Sequence, residues 1–476
     1  MENQKTKIIS IASIIALALT LVTATFAYFM AQTGEGKSTD IKINASTVDT
    51  FTFEAGSALN LSLNQENFAS GKGNQAGTTF AKAMLTANNK TNTATEHYYL
   101  YLNISNNTFT YSIDNNTPEI LLSIKDSSNN EITTLTGLTY KTVTDGKGAS
   151  IKGFDITNKK GLVTILNNRE ITTTSTKTEE WNVTVTFVNY NSNQAGNAGK
   201  NFSAKLMIQK EEYKQTLVEY VKSQYTGTQG ENSLYYHDST LVNGAGDNSY
   251  RYAGASESVN NYICLGSDAI TCPDANLFRI IGVFGEQVKV IRAKSVGSQF
   301  WDTSGSNTWS TSSLNTYLNG EYLTSLGTLA DKILTTTWKV GGGNSGPLMF
   351  SVPKTAYQYE VGSSASSTTY AAKIGLMYVT DYYSASPNAW TLVGYEASDA
   401  TKDYRAATSI NWLYLGYEWT ISRFSDDTAT AFYVSSGGVS GNSVDHPAKA
   451  RPSFHLLSST TYVSGSGSMS DPVRVN

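Results

Sequence analysis

Charge is scarce in this chain. Of its 476 residues only 16% are Asp, Glu, Lys or Arg, against about a quarter in ordinary globular proteins. The 35 basic and 39 acidic residues almost cancel, leaving a formal net charge of −4. No run of Lys or Arg is long enough to follow a phosphate backbone, which excludes nucleic acid from the expected partners. Histidine is scarcer still. His97, His237, His446 and His455 are the whole set, and no two share the short spacing of a zinc site. Neither a metal nor a cofactor is expected. Cysteine is limited to Cys264 and Cys272, whereas redox and metal motifs prefer two intervening residues. No Gly-x-Ser-x-Gly nucleophile elbow occurs.

Ser, Thr, Asn, Gly and Tyr fill the space that charge leaves, and hydrophobic residues make up 39%. The chain can therefore build real cores under a neutral polar surface, and its length suits two or three domains. The longest apolar run lies at the N-terminus. Lys5 and Lys7 precede an uncharged stretch from Ile8 to Ala31, the pattern that export machinery reads. At about 20 residues or more it is also long enough to span a bilayer. Residues 1–31 are thus expected to be a signal peptide or a membrane anchor. Small residues before the cut are needed for cleavage, and Thr25-Phe26-Ala27 supplies them, with Ala27 as the candidate site and Val22-Thr23-Ala24 as a second.

The two cysteines agree with export. Between them lie Gly266, Ser267 and Asp268, turn-forming residues that can bring the sulfurs together. Closing so short a loop is worth about 2.6 kcal/mol in the chain-entropy picture. A structural Cys264–Cys272 disulfide is expected, two buried thiols being the alternative.

After a polar linker from Thr33 to Asp40 the pattern is period-two from Ile41 to Gln209, and 32–209 is the expected domain. Tyr98 to Ile104 reads as a strand. Ile120 to Ile124, a polar turn at 126–130, and Ile132 and Leu135 read as a strand with its return. Trp181, Val183, Val185 and Phe187 share one face of a strand, as do Phe202, Ala204, Leu206 and Ile208. Strands at such spacing predict a β-sandwich. The signal end Ala24-Thr25-Phe26-Ala27-Tyr28-Phe29, the segment Phe187 to Gln194, Gly199 and the last strand together resemble the TasA and camelysin family. Those are secreted proteins of Gram-positive bacteria associated with biofilm matrix fibres. The resemblance spans residues 1 to about 210 and implies a jelly-roll-like sandwich, with self-association by strand donation as an expectation.

From Lys210 to Tyr225 the apolar residues Tyr213, Leu217, Tyr220 and Val221 form one helical stripe. Glu211 and Glu212 at its start and Lys222 near its end suit the helix dipole. Thr226 to Gly230 breaks it, so 210–230 reads as a helical linker.

Residues 231–476 form the second expected domain, rich in aromatics and carrying a net charge of −5. Leu277 to Phe284 and Gln287 to Ile291 predict a hairpin around Gly285-Glu286. Trp309 to Asn319 predicts a helix capped by Ser312, with Leu314, Tyr317 and Leu318 inward. Strands are expected at Asn411 to Trp419, Ala429 to Val434 and Arg451 to Leu456. The helix W-x-x-S-S-L-x-x-Y-L-N at Trp309 to Asn319, the aromatic segment from Trp412 to Arg423 and the terminal Arg451-Pro452 resemble an exported family of Gram-positive gut bacteria. Its order of elements is similar to the C-type-lectin-like fold shared with formylglycine-generating enzymes and phage tropism proteins. The resemblance covers this whole region and implies an α+β, C-type-lectin-like domain. The enzyme branch carries reactive cysteines deep in the chain. Here both lie at the domain entrance, which argues against copper-dependent oxidase chemistry. The fold class expected is mainly β in two domains.

The chemical candidates are few. Gly343-Asn344-Ser345-Gly346-Pro347-Leu348 resembles the nucleophile loop of trypsin-like proteases, yet only His97 and His237 precede it, neither in the context of a catalytic base. A Gly-rich turn is expected. Asp426-Asp427 offers two carboxylates in a loop, too few for calcium alone. Glu418 and Arg451 are expected to form a buried structural ion pair. Trp301, Trp309, Tyr382, Tyr383 and Trp390 lie in or beside Ser/Gly/Asn-rich loops, where exposed rings stack on sugars or protein loops. They are the ligand-binding candidates, with core packing as the alternative.

Three functional readings follow, in this order. The first is an exported, cell-surface adhesin, with a ligand-binding head on a sandwich stalk and a surface glycan or protein as partner. The second is a structural subunit of an extracellular fibre. The third is a secreted enzyme; no enzymatic activity is expected. With no cell-wall sorting motif at Ser470 to Asn476, surface retention would fall to residues 8–31 in the membrane or to assembly with neighbours.

Overall fold

Alternating side chains drive most of this chain into strands. The computed structural model describes residues 49–64, 67, 72–88, 92–344, 349, 353–387, 411–435 and 438–476. The signal-like segment, including 8–31 and Ala27, lies outside them. Among the described residues, no helix is long and apolar enough to cross a membrane. The protein is mainly β, with several sheets. It divides into two compact units, Met1–Tyr213 and Lys214–Asn476.

The first unit contains β1 (Thr50–Ala55), β2 (Leu59–Ser62), β3 (Gln75–Thr86), β4 (Ala94–Asn107), β5 (Ile120–Asp126), β6 (Tyr140–Thr144), β7 (Ser150–Asp155), β8 (Gly161–Thr173), β9 (Thr176–Phe187) and β10 (Asn201–Gln209). One sheet runs β1-β3-β9-β5-β7-β6, the other β2-β10-β4-β8. Both contribute to one apolar core. The expected faces are confirmed: Trp181, Val183, Val185 and Phe187 are buried, as are Phe202, Ala204, Leu206 and Ile208. Fully burying a side chain of this size stabilises by roughly 1.5–3 kcal/mol. A one-residue slip of β9 would turn this whole row outward, so its register on β3 and β5 is strongly fixed.

Several buried polar groups inside this unit pair with one another. Trp181 Nε1 donates to Tyr98 Oη at 2.8 Å, and that hydroxyl donates to Glu179 at 2.7 Å. Arg169 holds the same carboxylate with two bonds of 3.1 Å. Glu119 is fully buried. Its carboxylate accepts from the Ser112 amide and hydroxyl, from Gln194 Nε2 at 2.9 Å and from Asn197 Nδ2 at 2.7 Å, tying two loops together.

One expectation here needs correcting. The return strand at Ile132 and Leu135 is not a strand; it makes only isolated bridges, Lys125↔Glu131 and Leu135↔Leu138. The segment still lies along the end of β5, where the Ile132 amide donates to the Ile124 carbonyl at 2.9 Å, while β7 takes that flank only at Leu121 and Leu122.

The second unit opens with a helix, Leu217–Ser223. It is shorter than the stripe from Lys210 suggested, because Thr216 and Glu219 form a reciprocal capping box that sets its start. Leu217, Val218 and Val221 are buried in this unit's core. Residues expected to act as a linker therefore contribute core side chains.

The main sheet uses β11 (Leu234–His237), β12 (Ser249–Tyr252), β13 (Tyr262–Cys264), β14 (Leu277–Phe284) and β15 (Gln287–Arg292). A second sheet begins with β16 (Ser298–Phe300), and β17 (Thr336–Lys339) pairs with β18 (Thr369–Ala372). Then follow β19 (Ile374–Gly375), β20 (Glu418–Arg423), β21 (Thr430–Ser435), β22 (Gly438–Ser443), β23 (Pro447–Lys449), β24 (Ser453–His455), β25 (Tyr462–Ser464) and β26 (Val473–Val475). The main sheet runs β19-β24-β15-β14-β13-β26-β25, with β12 also on β14 and β11 on β12; the second runs β16-β23-β20-β21-β22. The β14–β15 hairpin turns at Gly285 (φ +61°), as its sequence predicts. Ser312 caps the helix Ser313–Tyr317 by accepting from the Asn315 amide at 3.1 Å. The strand expected from Asn411 begins only at Glu418. The stretch before it is non-strand, with the Trp412 indole donating to the Tyr252 carbonyl.

Candidate functional site

Four of the five aromatic candidates prove to be core. Trp301, Trp309, Tyr382 and Tyr383 are each 2% exposed or less. Trp301 meets Trp309 edge-on at 5.2 Å and donates its Nε1 to the Thr420 carbonyl at 3.0 Å. Tyr383 donates its hydroxyl to the Met349 carbonyl at 2.9 Å. The proposal that these rings stack on a ligand is therefore corrected. Polar loops flank them in sequence, but the large rings fill the volume between sheet and helices, where burial is worth most. Trp390 and the Ser345-Gly346-Pro347-Leu348 loop lie outside the described residues.

Cys264 and Cys272 are joined, with Cα atoms 5.8 Å apart. Glu418 and Arg451 meet in the core, Nε to Oε1 at 2.5 Å and Nη2 to Oε2 at 2.8 Å. His455 is a core residue, 5.6 Å from Trp338 and 3.3 Å from the Thr336 hydroxyl. Burial holds its imidazole down to about 3. Asp427 accepts from the Ala429 amide within its own turn.

A concave feature of the second unit lies elsewhere. A cleft of about 240 Å³ is lined by Tyr220 of the helix Leu217–Ser223, by Gln224 just after it, by Gly230, Asn232, Ser233, Tyr252, Ser258 and Asn260, and by Ser466. None of these side chains is charged. Tyr220 stacks face to face on Tyr462, with ring centroids 3.9 Å apart and planes 6° from parallel. Both tyrosine hydroxyls donate to the Gly465 carbonyl, which fixes the pair. Burial pushes the Tyr220 hydroxyl up to about 12, so it stays protonated at neutral pH. One wall is conformationally costly: Asn232 and Ser233 are consecutive left-handed residues, at φ +56° and +57°. Such residues cost of order 1–3 kcal/mol each and gather at functional sites. The Asn232 amide offsets part of this by donating to the Gln224 carbonyl at 2.9 Å. Ser258 and Asn260 are exposed where they line the cleft.

No protein-family model, curated protein or solved structure matches this chain. The site must therefore be read from its own chemistry. Its residues span positions 220 to 466, and no motif groups them in sequence. The one local signal was the Thr226 to Gly230 break, which puts the chain into the turn that builds the wall. Among the described residues, the buried carboxylates of this unit, Asp302, Glu360, Asp381 and Glu418, do not line the cleft.

Proposed function

We propose that this chain is an exported, surface-located binding protein of a Gram-positive bacterium, whose second unit holds a neutral saccharide in the cleft at Tyr220. The observation that carries this reading is the cleft's composition: hydroxyl and amide groups around tyrosine, with no charge. Neutral hydrogen-bonding groups beside an aromatic ring match the alternating hydroxyl edges and apolar faces of a sugar. A volume of about 240 Å³ suits a short glycan end. The disulfide supports export, since such bonds persist in oxidising compartments. On this reading the first unit is a jelly-roll-like β-sandwich stalk and the second a C-type-lectin-like α+β head.

Two experiments test it. A neutral-glycan array probed with the chain lacking residues 1–27 should give discrete hits, and Asn260→Leu with Ser258→Leu should weaken them at least tenfold. An array without hits, or hits unaffected by both substitutions, overturns the saccharide reading. N-terminal sequencing of protein from its host, with its partition among cell, wall and medium, tests export. A start near Tyr28 or an intact terminus in the membrane fraction supports it, and cytosolic protein overturns it.

A fibre subunit is the second reading. It is favoured by β8, which ends its sheet and, among the described residues, pairs only with β4, because an open edge is a template for another chain. Ordered filaments formed after removal of residues 1–27 would support it.

A further inference from the structure

The core of the second unit holds a charge cluster that the cleft does not use. Lys289 on β15 and Asp381 on the helix Val379–Ser384 are each 2% exposed, with Nζ 2.5 Å from Oδ2. Arg251 Nη1 stands 3.9 Å from the other carboxyl oxygen, Oδ1, while its Nη2 binds Asp247 at 2.7 Å. Glu360, also 2% exposed, accepts from the amides of Val379 and Thr380, the two residues before Asp381, at 2.8 Å each. The Ser422 hydroxyl donates to it as well. Aromatic rings close the site around the amine: Nζ lies 4.4 Å from the centre of Tyr378, 5.2 Å from Trp338 and 5.9 Å from Phe284.

We propose that Lys289 and Asp381 condense to an intramolecular isopeptide bond, joining β15 to the Val379–Ser384 helix through an amide. The step balances within the pair. Nζ attacks the Asp381 carboxyl carbon, the N–C bond forms, and one C–O bond breaks. Two protons of the ammonium leave with that oxygen as water, and the third stays on the amide nitrogen. No oxidant, reductant or co-reactant is needed.

Four features favour the reaction. The amine sits one hydrogen bond from the carboxyl oxygen, so the carbon is one further C–O bond away, in the near-attack range. Arg251 places a positive charge 3.9 Å from the oxygen on which negative charge grows in the tetrahedral intermediate. Burial lowers the Lys289 ammonium, favouring the free amine that attacks. Burial also raises the Glu360 carboxyl, which acts on Lys289 electrostatically. The product is favoured too. Two desolvated charges disappear, while Arg251 and Asp247 remain as a neutral pair.

The test is the intact mass of the full chain with its disulfide reduced, and it does not depend on the saccharide reading. We expect a mass lower than the sequence mass by one water. We also expect a branched tryptic peptide joining Ile280–Arg292, uncut at Lys289, to Ile374–Lys402. Lys289→Arg and Asp381→Ala should each return the full sequence mass, and Glu360→Gln should slow the water loss at least tenfold during refolding. A folded wild-type chain at its full sequence mass overturns the proposal, as does a water loss mapped to any other pair. Water loss by Glu360→Gln at the wild-type rate removes Glu360 from the mechanism.

Discussion

Replacing Arg451 by Met should destabilise the second unit strongly, and more so at high pH. Arg451 and Glu418 are 2% and 1% exposed and share two hydrogen bonds, and Arg451 Nη2 also donates to the Leu413 carbonyl. Burial pushes the Glu418 carboxyl up, and Arg451 pulls it back. Without Arg451 a carboxylate is left in the core with no counter-ion beside it, a loss of about 3–5 kcal/mol. For a unit of this size that is a fall in Tm of roughly 10 °C. The pH dependence has a definite sign. The folded-state pKa of Glu418 in the variant rises further above its unfolded value of about 4.3. Its penalty is therefore absent in acid, where the carboxyl is protonated in both states, and grows as pH rises through the folded value. Urea unfolding of wild type and variant at pH 5 and pH 8 reads this directly. Arg451→Met combined with Glu418→Leu should recover most of the loss, because the uncompensated charge is gone. A loss below about 1 kcal/mol at pH 8, or one independent of pH, would refute the reasoning.

Three further outcomes are expected. Cys264→Ser should cost about 2–3 kcal/mol, and reducing the wild type should cost the same in the urea midpoint; equal stability of oxidised and reduced protein counts against a structural role for the bond. Burial holds the His237 and His455 imidazoles down to about 3. Each therefore contributes stability above its unfolded pKa of about 6.5 that is lost as pH falls toward 3, at up to about 1.4 kcal/mol per pH unit. His455→Gln should flatten the fall in urea stability between pH 7 and 5, and an unchanged slope contradicts the buried, neutral assignment. Glu119→Ala strands the Gln194 and Asn197 amides that it now accepts from. It should cost the first unit at least about 2 kcal/mol and expose the loops at 110–113 and 194–197 to protease, whereas wild-type protease resistance would show that the carboxylate is dispensable.

Much of the architecture was legible because period two survives without tertiary information. The faces of β9 and β10, the β14–β15 hairpin and the Ser312 cap each depend on a few adjacent residues, and each is found where the sequence places it. The Cys264–Cys272 turn is equally local. The Glu418–Arg451 pair was legible for a different reason: in a chain so poor in charge, an acid and a base inside apolar segments have few alternatives. The helix before Leu217 was overread because its stripe began at Tyr213, although Thr216-x-x-Glu219 already marked the start. The aromatic candidates failed because loop composition describes a residue's neighbours along the chain, whereas burial depends on neighbours in space. The cleft and the Lys289–Asp381 cluster were illegible for the same reason. Each gathers residues from elements far apart in sequence, and the strand order of the sheet brings them together.

That strand order also governs when the second unit can form. Val473–Val475 lies between β13 and β25 and pairs in parallel with Ile263 and Cys264. Synthesis delivers residue 263 long before residue 473, so until then β13 has one partner, β14, and an open flank. The unit cannot mature piecemeal from its leading end. It must wait, with an unpaired strand exposed, for a partner from far along the chain, and such late, non-local pairing makes folding slow. The interval between the two is when this unit is most exposed to proteases, to chaperones and to strands of other chains.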